Sequence, residues 1–193
     1  MKIGLIPMAA KPYHAGHDAL VRMAAKENDK VYVYVSTQDR EDILGSDMMS
    51  VWENYIKPTL PDNVKVKPVE VPVSSVYKKL EEAEAMNSKD RFSIYSDAKD
   101  IQRYRTNSLK KVANRLFNER QIKLCGVDRA ETVLVSATEM RRMLSVGDSR
   151  GFIKMLPPSI QEHGEEIYSL LNKRLTEVGL VKKYVKLSIQ KII

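Results

Sequence analysis

The sequence predicts an α/β fold, with a Rossmann-like, doubly wound parallel sheet followed by C-terminal helices. Short strand patterns alternate with helix patterns along most of the 193 residues, as is typical of a parallel sheet covered on both faces. Polar residues follow several strands, where such sheets bind their ligands. With 43% hydrophobic residues, the chain can form one domain with a substantial core. We expect this domain to span residues 1–158 and a helical extension packed on it to span residues 159–193.

The first half of the chain predicts three strands and three helices. Segments rich in β-branched and aromatic residues predict the strands, at residues 2–7, 31–35 and 64–71. Segments with apolar residues at helical spacing predict the helices, at residues 16–28, 49–56 and 74–86. Pro68 marks the third strand as an edge strand or a bulge. The polar loop at residues 37–46 should border a ligand without a stable structure of its own.

The second half continues this alternation. The same criteria predict strands at residues 92–95, 122–125 and 133–135. They predict helices at residues 107–119, 136–144, 159–175 and 176–193. The last of these helices carries lysines between its apolar residues, so it could pack on the domain, contact a second copy of the chain or lie on an acidic surface. We favour packing on the domain.

A histidine pair follows the first strand, in the run His14-Ala15-Gly16-His17. The two imidazoles would point the same way from the start of a helix, where the backbone N–H groups and the helix dipole favour an anion. Gly16 has no Cβ and lets a ligand approach the backbone closely. Capping, packing or metal binding are the alternatives for such a pair. Its place at a strand-to-helix turn favours a phosphate site.

A second polar cluster follows the strand predicted at residues 133–135. Ser136 and Thr138 suit a helix start, where hydroxyls pair with free N–H groups or with a ligand phosphate. Arg141 lies one turn into the helix on the side of Thr138, and its planar fork suits phosphate oxygens. The alternative is an ordinary capped helix with a surface arginine. Four polar side chains fall just beyond predicted strand ends and should therefore converge: His17, Ser36, Asp97 and Ser136.

With these two motifs, the chain resembles the HxGH-containing nucleotidylyltransferase superfamily, which has the cytidylyltransferase-like fold. The run from Pro12 to His17 is similar to the family's P-x-H-x-G-H, and the run from Ser136 to Arg141 is similar to its S-x-T-x-x-R. The resemblance covers roughly residues 1–160. It implies that His14 and His17 hold the triphosphate of a nucleotide and its developing charge. It further implies that Arg141, with Ser136, Thr138 and helix N–H groups, grips the leaving pyrophosphate, which departs with Mg²⁺.

The resemblance also implies further residues that bind the nucleotide. In addition to Ser136 and Thr138, these are Met8, Ala9, Lys11, Gly16 and Asp97. The family's G-x-F-x-P run is replaced by Met8-Ala9-Ala10-Lys11-Pro12, and the missing glycine should tighten the space beside the nucleotide. Lys11 either holds phosphate or faces solvent, and Asp97 either contacts the nucleotide or caps a helix.

Two further residues are candidates for binding the acceptor. Trp52 would stack on the acceptor's base, as an aromatic ring does in several family members, although a place in the core is its alternative. Arg40 would swing onto a phosphate as its loop closes, or else pair at the surface with Glu41 or Asp42.

The form of the second motif favours the adenylyltransferase branch of the superfamily. Residues 131–135, directly before Ser136, contain no Arg, whereas the cytidylyltransferase branch has one in its longer motif. We therefore expect ATP and an acceptor like nicotinamide mononucleotide. CTP with a phospho-alcohol is the alternative.

The composition constrains the partners. The formal net charge of +7 is compatible with an anionic substrate and equally with nucleic acid. Two basic stretches, at residues 103–120 and from residue 173 onward, are most simply solvated faces. A non-catalytic, basic RNA-binding protein is therefore the less favoured alternative. Cys125 is the only cysteine, and the sequence shows neither a signal-peptide pattern nor an apolar run that could span a membrane. We expect a cytoplasmic protein.

Overall fold

The computed structural model describes residues 1–127 and 135–172, and these residues form a five-stranded parallel sheet with helices on both faces. The strands are β1 (Lys2–Met8), β2 (Lys30–Ser36), β3 (Val64–Val69), β4 (Arg91–Asp97) and β5 (Ile122–Val127). Their order across the sheet is β3-β2-β1-β4-β5, and every neighbouring pair is parallel. The predicted doubly wound fold is confirmed. Strand β3 is an edge strand, as Pro68 predicted.

The helices follow the strands in the predicted alternation. Their bounds are α1 (Ala15–Glu27), α2 (Gly45–Val51), α3 (Pro72–Ala85), α4 (Thr106–Val112), α5 (Asn114–Asn118), α6 (Ala137–Val146) and α7 (Ser149–Met155). A π-helical turn, Trp52–Ile56, extends α2, and residues 164–172 are helical. The strand predicted at 133–135 lies mostly outside the described residues, and the helix predicted at 176–193 lies wholly outside them. No helix in the described ranges is long and apolar enough to cross a membrane.

Alternate residues of the central strand face two separate hydrophobic cores, as the two-residue period of a strand requires. Ile3 and Leu5 of β1 contribute to a core with α3, α4 and α5, whereas Ile6 and Met8 contribute to a core with α1, α2, α6 and α7. Ile167, from the segment 164–172, is buried in the second core. From β1 the chain continues to β2 and β3 on one side of the sheet, and it then crosses to β4 and β5 on the other side of β1. In open α/β sheets this switch point forms a crevice at the carboxyl ends of the strands.

The helix predicted at 107–119 is divided into α4 and α5 by Ala113, whose φ of −149° and ψ of 60° are not helical. The break exposes the first N–H groups of α5, which need acceptors. The Glu84 carboxylate of α3 accepts from the N–H groups of Arg115 and Leu116, at 2.7 and 3.0 Å. The acceptor lies about 30 residues earlier in the chain, so local patterns could not predict the break.

Replacing Glu84 should therefore destabilise the fold. Glu84→Ala leaves two N–H groups of α5 without their acceptor, and we expect a loss of about 1–3 kcal/mol in the free energy of unfolding, measured by urea denaturation. Glu81→Ala is the matched control, because it removes an exposed carboxylate from the same helix. Equal stability of the two variants would contradict a capping role for Glu84.

Candidate active site

A cavity of about 590 Å³ opens at the carboxyl ends of the strands. Residues of both motifs line it together with the loops that follow β1, β2 and β4. All the predicted site residues except Trp52 contribute to its wall: Met8, Ala9, Lys11, His14, Gly16, His17, Arg40, Asp97, Ser136, Thr138 and Arg141. The predicted convergence beyond the strand ends is also observed, since Ser36 lines the same cavity.

His14 is the N-cap of α1 and shares the cavity wall with His17. Its Nδ1 atom accepts from the N–H groups of Gly16 and His17, at 3.1 and 3.3 Å. When Nδ1 accepts, the neutral imidazole carries its proton on Nε2. The expectation that these backbone N–H groups bind the anion directly needs correction, because His14 occupies both of them. The imidazoles of His14 and His17 line the cavity at this turn together with Gly16.

The ring of His17 stacks with two neighbouring rings. The His14 ring lies on it with centroids 3.7 Å apart, and the Tyr13 ring is 5.7 Å away in a nearly parallel orientation. Tyr13 is buried, and its hydroxyl donates to Asp18 at 3.2 Å. Burial, and secondly the adjacent Asp18 carboxylate, raise the pKa of Tyr13 well above its ordinary value. This phenol therefore remains protonated, and its ring packs against that of His17.

Trp52 does not reach the cavity. Its side chain is fully buried, and it packs edge-on against Tyr13 with ring centroids 4.8 Å apart. The proposed stacking of Trp52 on an acceptor base is therefore not supported, and its alternative role in the core is the one observed. Helical spacing places an aromatic residue on a face, but the tertiary packing of α2 decides whether that face meets the ligand or the sheet.

Lys11 lies in the floor of the cavity, with only 1% of its surface exposed, so it does not face solvent. Its ammonium donates to the carbonyl of Ser36 at the end of β2. Burial lowers the pKa of Lys11, Asp39 opposes this shift and Arg40 adds to it. The preceding residue, Ala10, has a φ of 48°, a left-handed conformation that is costly for a residue with a Cβ. The segment that replaces the family's glycine-containing run is thus compact and strained.

The lowered pKa of Lys11 predicts a specific pH dependence of stability. Between that pKa and the ordinary value of 10.5, the unfolded chain binds more protons at this residue than the folded chain does. The contribution of Lys11 to the free energy of unfolding should therefore rise with pH through this window. Urea denaturation from about pH 7 to about pH 10 gives the free energy of unfolding of the wild type and of Lys11→Met. The difference between the two free energies isolates the contribution of Lys11, because the tyrosines are common to both proteins. A pH-independent difference would contradict the shift.

The second motif forms the opposite wall of the cavity. Ser136 is the N-cap of α6, and its hydroxyl accepts from the N–H of Glu139 at 3.1 Å. The guanidinium of Arg141 contacts Thr138 Oγ1 at 3.1 Å, which confirms that the two residues share one side of the helix. Arg141 also donates to the carbonyl of Lys11 at 2.8 Å and to Glu41 Oε2 at 2.8 Å. It is therefore a largely buried arginine joined to two other loops, and the surface alternative is wrong.

The loop after β2 is more ordered than the sequence suggests. Arg40 and Ile43 form an antiparallel bridge, and Asp39 Oδ1 accepts from the N–H of Gly45 at 2.8 Å. Ile43 is buried in the core. A Cβ on Gly45 would lie 1.7 Å from the carbonyl oxygen of Thr37, so only glycine fits there. The expectation of a loop without stable structure is therefore wrong, although Arg40 does line the cavity.

The far side of the cavity, after β4, contains residues that the motifs did not reveal. Asp97 lines the cavity, and its carboxylate accepts from the N–H of Lys99 at 2.8 Å. It therefore stabilises a local turn as well as contributing to the cavity wall. Asp100 and Arg103, which form an ion pair at 3.0 Å, and the buried Tyr104 complete this side. Their position after a strand end was the available signal, but their spacing matches no motif.

The carboxylates of the cavity wall are the described groups that could contact a divalent cation. Among the described residues there is no group of three or more His, Cys, Asp or Glu side chains that could hold a metal ion. Mg²⁺ is commonly held by substrate phosphates with only one or two carboxylates, and Asp97 and Asp100 are carboxylates in the cavity wall. The donor set therefore fits Mg²⁺ bound through a triphosphate, and does not form a dedicated metal cage.

Comparisons with known proteins agree with this architecture. Residues 3–71, fewer than half of the chain, match the family model for the citrate lyase ligase C-terminal domain. No curated protein matches the sequence. Many solved structures match in fold, and each of those described below is less than 25% identical to this chain.

Three solved structures illustrate the match. A putative nicotinate-nucleotide adenylyltransferase from Vibrio parahaemolyticus is 18% identical, with a TM-score of 0.56 over 84% of this chain and 97% of its own. Plasmodium falciparum nicotinic acid mononucleotide adenylyltransferase, complexed with NaAD, is 13% identical, with a TM-score of 0.58 over 89% and 97%. A bifunctional NMN adenylyltransferase/ADP ribose pyrophosphatase from Francisella tularensis is 14% identical, with a TM-score of 0.57.

The match to the Francisella protein covers 98% of this chain but only 56% of that protein, so the chain corresponds to about half of it. Another structure of the same protein is complexed with AMP and a manganese ion. The solved structures are named as adenylyltransferases, which are nucleotidylyltransferases as the two motifs predicted, and the family model is named for a ligase domain. The sheet order and these similarities show that the chain shares the fold of these adenylyltransferase structures, and both of its motifs line the cavity at the carboxyl ends of the strands.

Proposed function

We propose that this protein transfers a nucleoside monophosphate, with AMP favoured, from a nucleoside triphosphate to a small phosphate-bearing acceptor. The observation that carries the proposal is that a single cavity brings together two imidazoles, a buried lysine and a fixed arginine. These groups can all donate hydrogen bonds, and the lysine and the arginine can carry positive charge at neutral pH. Such a site suits a triphosphate, whose charge is spread over many oxygens.

The proposed reaction needs no covalent intermediate on the protein. An oxygen of the acceptor phosphate attacks the α-phosphorus, the bond from that phosphorus to the bridging oxygen breaks, and pyrophosphate leaves with the electron pair. Mg²⁺, bound through the triphosphate, would neutralise part of its charge. The protein then contributes positioning and charge stabilisation. His14 Nε2 and His17 would donate to oxygens around the α-phosphorus.

Arg141 and the start of α6 would hold the leaving phosphates. A guanidinium has five N–H donors, and three of those of Arg141 are used by Glu41, Lys11 and Thr138. The other two have no acceptor among residues 1–127 and 135–172, and Arg141 lines the cavity. The cap formed by Ser136 leaves the first N–H groups of α6 beside them, at a helix end that favours anions.

We favour ATP as the donor and an acceptor like nicotinamide mononucleotide. The motif form supports the adenylyltransferase branch, and the three structures compared above are named as adenylyltransferases of nicotinate or nicotinamide nucleotides. Cytidylyl transfer to a phospho-alcohol is the alternative within the superfamily. A basic RNA-binding role is the alternative from another class, suggested by the net charge of +7.

A matrix of substrates tests the proposal. The protein is incubated with Mg²⁺, each of ATP and CTP, and a panel of acceptors that includes nicotinamide mononucleotide, nicotinate mononucleotide, a phospho-alcohol and a small carboxylic acid. Released pyrophosphate is followed for each pair. We expect acceptor-dependent release with ATP and a mononucleotide. Release with CTP and the phospho-alcohol alone would move the assignment to the cytidylyltransferase branch.

RNA binding is measured in parallel as a function of salt. Binding to phosphates through lysines and arginines weakens steeply as salt rises. RNA binding of this kind, together with no release of pyrophosphate from any pair, would overturn the proposed function.

A further inference from the structure

We propose that Glu41, at the tip of the turn after β2, is a positioning residue for Arg141. This inference rests on the proposed function, because it assigns Glu41 a role in placing the group that holds the leaving phosphates. The carboxylate of Glu41 and Nε of Arg141 are 2.8 Å apart and belong to residues 100 positions apart in the chain. Neither motif contains Glu41, and its part in the site follows from the fold alone.

The contact is asymmetric in exposure. Only 9% of the Arg141 side chain is exposed, whereas 59% of the Glu41 side chain is exposed. The buried arginine gains a counter-charge and an acceptor for Nε, the nitrogen at the base of its planar fork. Acceptors from two other parts of the chain, the Lys11 carbonyl and Thr138 Oγ1, hold the other two nitrogens. With one bond at each nitrogen, both the plane and the direction of the guanidinium are fixed.

The turn that carries Glu41 is itself held in place. Glu41 has a φ of 53°, in the left-handed region, which costs energy for a residue with a side chain and persists only where the surroundings enforce it. The bridge between Arg40 and Ile43, with N···O distances of 3.0 and 3.1 Å, closes the turn around Glu41. The buried Ile43 anchors the turn to the core. Such a turn suits a fixed support for Arg141 and does not suit a lid that opens.

Glu41 places a negative charge next to the proposed anion site. A carboxylate there weakens anion binding electrostatically, so its presence is a disadvantage for affinity alone. A positioning role accounts for that cost, because orientation of a donor matters more to the transition state than to ground-state binding. Geometry and charge can therefore be separated by substitution.

Three variants separate the two effects. Glu41→Gln keeps an oxygen that can accept from Arg141 Nε and removes the charge, and Glu41→Ala removes both. Asp42→Asn is the matched control, since it neutralises the next, exposed carboxylate of the same turn. We expect Glu41→Ala to lower kcat about tenfold or more with a smaller change in KM for the nucleotide. Glu41→Gln should stay within about threefold of the wild type in kcat and bind inorganic pyrophosphate more tightly.

A spectroscopic measurement tests the contact without depending on activity. Nε–H of Arg141 should give a protected resonance in ¹H–¹⁵N spectra, assigned by its loss in Arg141→Lys. The signal should persist in Glu41→Gln and Asp42→Asn and disappear in Glu41→Ala. Its persistence in Glu41→Ala would overturn the proposal, and so would equal kcat values for Glu41→Ala and Asp42→Asn. Equal loss of kcat in Glu41→Gln and Glu41→Ala would also overturn it, because the effect would then come from the lost charge.

The failure of the proposed function would be distinguishable. If the wild type transfers no nucleotide at all, the proposed function fails, and the resonance still decides whether Glu41 positions Arg141.

Discussion

Replacing Arg141 by alanine should lower turnover by a factor on the order of 10²–10³, the effect typical of removing one preorganised donor to the transition state. The expected size follows from the contacts of Arg141. Its guanidinium is held by Glu41, Lys11 and Thr138, and in the proposed reaction its remaining N–H groups would donate to the leaving phosphates. Steady-state kinetics with the best substrate pair provide the measurement.

The adjacent Arg142 is the matched control for Arg141. It lies on the same helix, is 58% exposed and forms an ion pair with Glu139 at 2.6 Å. Arg142→Ala should change turnover by less than about twofold, because exposed pairs within a helix contribute little. The same charge is lost in both variants, so a difference between them reports the position of the guanidinium. Comparable turnover in the two variants would contradict a role of Arg141 in holding the leaving phosphates.

Replacing His14 should have an equally large effect, and two substitutions separate its two roles. His14→Ala removes the acceptor that caps α1, so it should cost about 1 kcal/mol of stability and lower turnover by about 10² or more. Asparagine is a good N-cap residue but has no group in the place of Nε2. His14→Asn should therefore unfold at nearly the urea concentration of the wild type and still lose turnover by about 10² or more.

The stability and kinetics of the His14 variants should thus diverge. Full activity in a stable His14→Asn variant would show that His14 caps α1 and has no role in turnover. His17→Ala provides an independent check, because His17 lines the same cavity but is not the residue whose side chain caps α1. Wild-type turnover in a folded His17→Ala variant would rule out the proposed mechanism.

The sequence predicted the parts of the site that depend on local structure. Strand periodicity and helix-start residues placed His14 and Ser136 at strand-to-helix turns, and the parallel fold brings such turns to one edge of the sheet. Thr138 and Arg141 were predicted to share a helix face because they lie three residues apart, and their side chains are in contact. These interactions span few residues or follow from a topological rule.

Other parts could not be predicted because they depend on tertiary contacts. The pairing of Glu41 with Arg141 joins a turn and a helix that are far apart in the chain, and nothing near Glu41 indicates its partner. Lys11 is buried because its ammonium meets the Ser36 carbonyl at the end of a neighbouring strand. Trp52 is buried because the π-helical turn directs it toward Tyr13. In each case a side chain with two reasonable environments is placed by a residue from another element.

The fate of the α-phosphate tests the central claim most directly. The protein is incubated with Mg²⁺ and its best acceptor, in parallel with ATP labelled with ³²P at the α- or the γ-phosphate, and the products are separated. Transfer of a nucleoside monophosphate predicts that the α-label appears in a new compound containing the acceptor and that the γ-label appears in pyrophosphate, with both signals lost in Arg141→Ala. Recovery of the γ-label as orthophosphate or in the acceptor, with the α-label left in ADP, would contradict nucleotidylyl transfer.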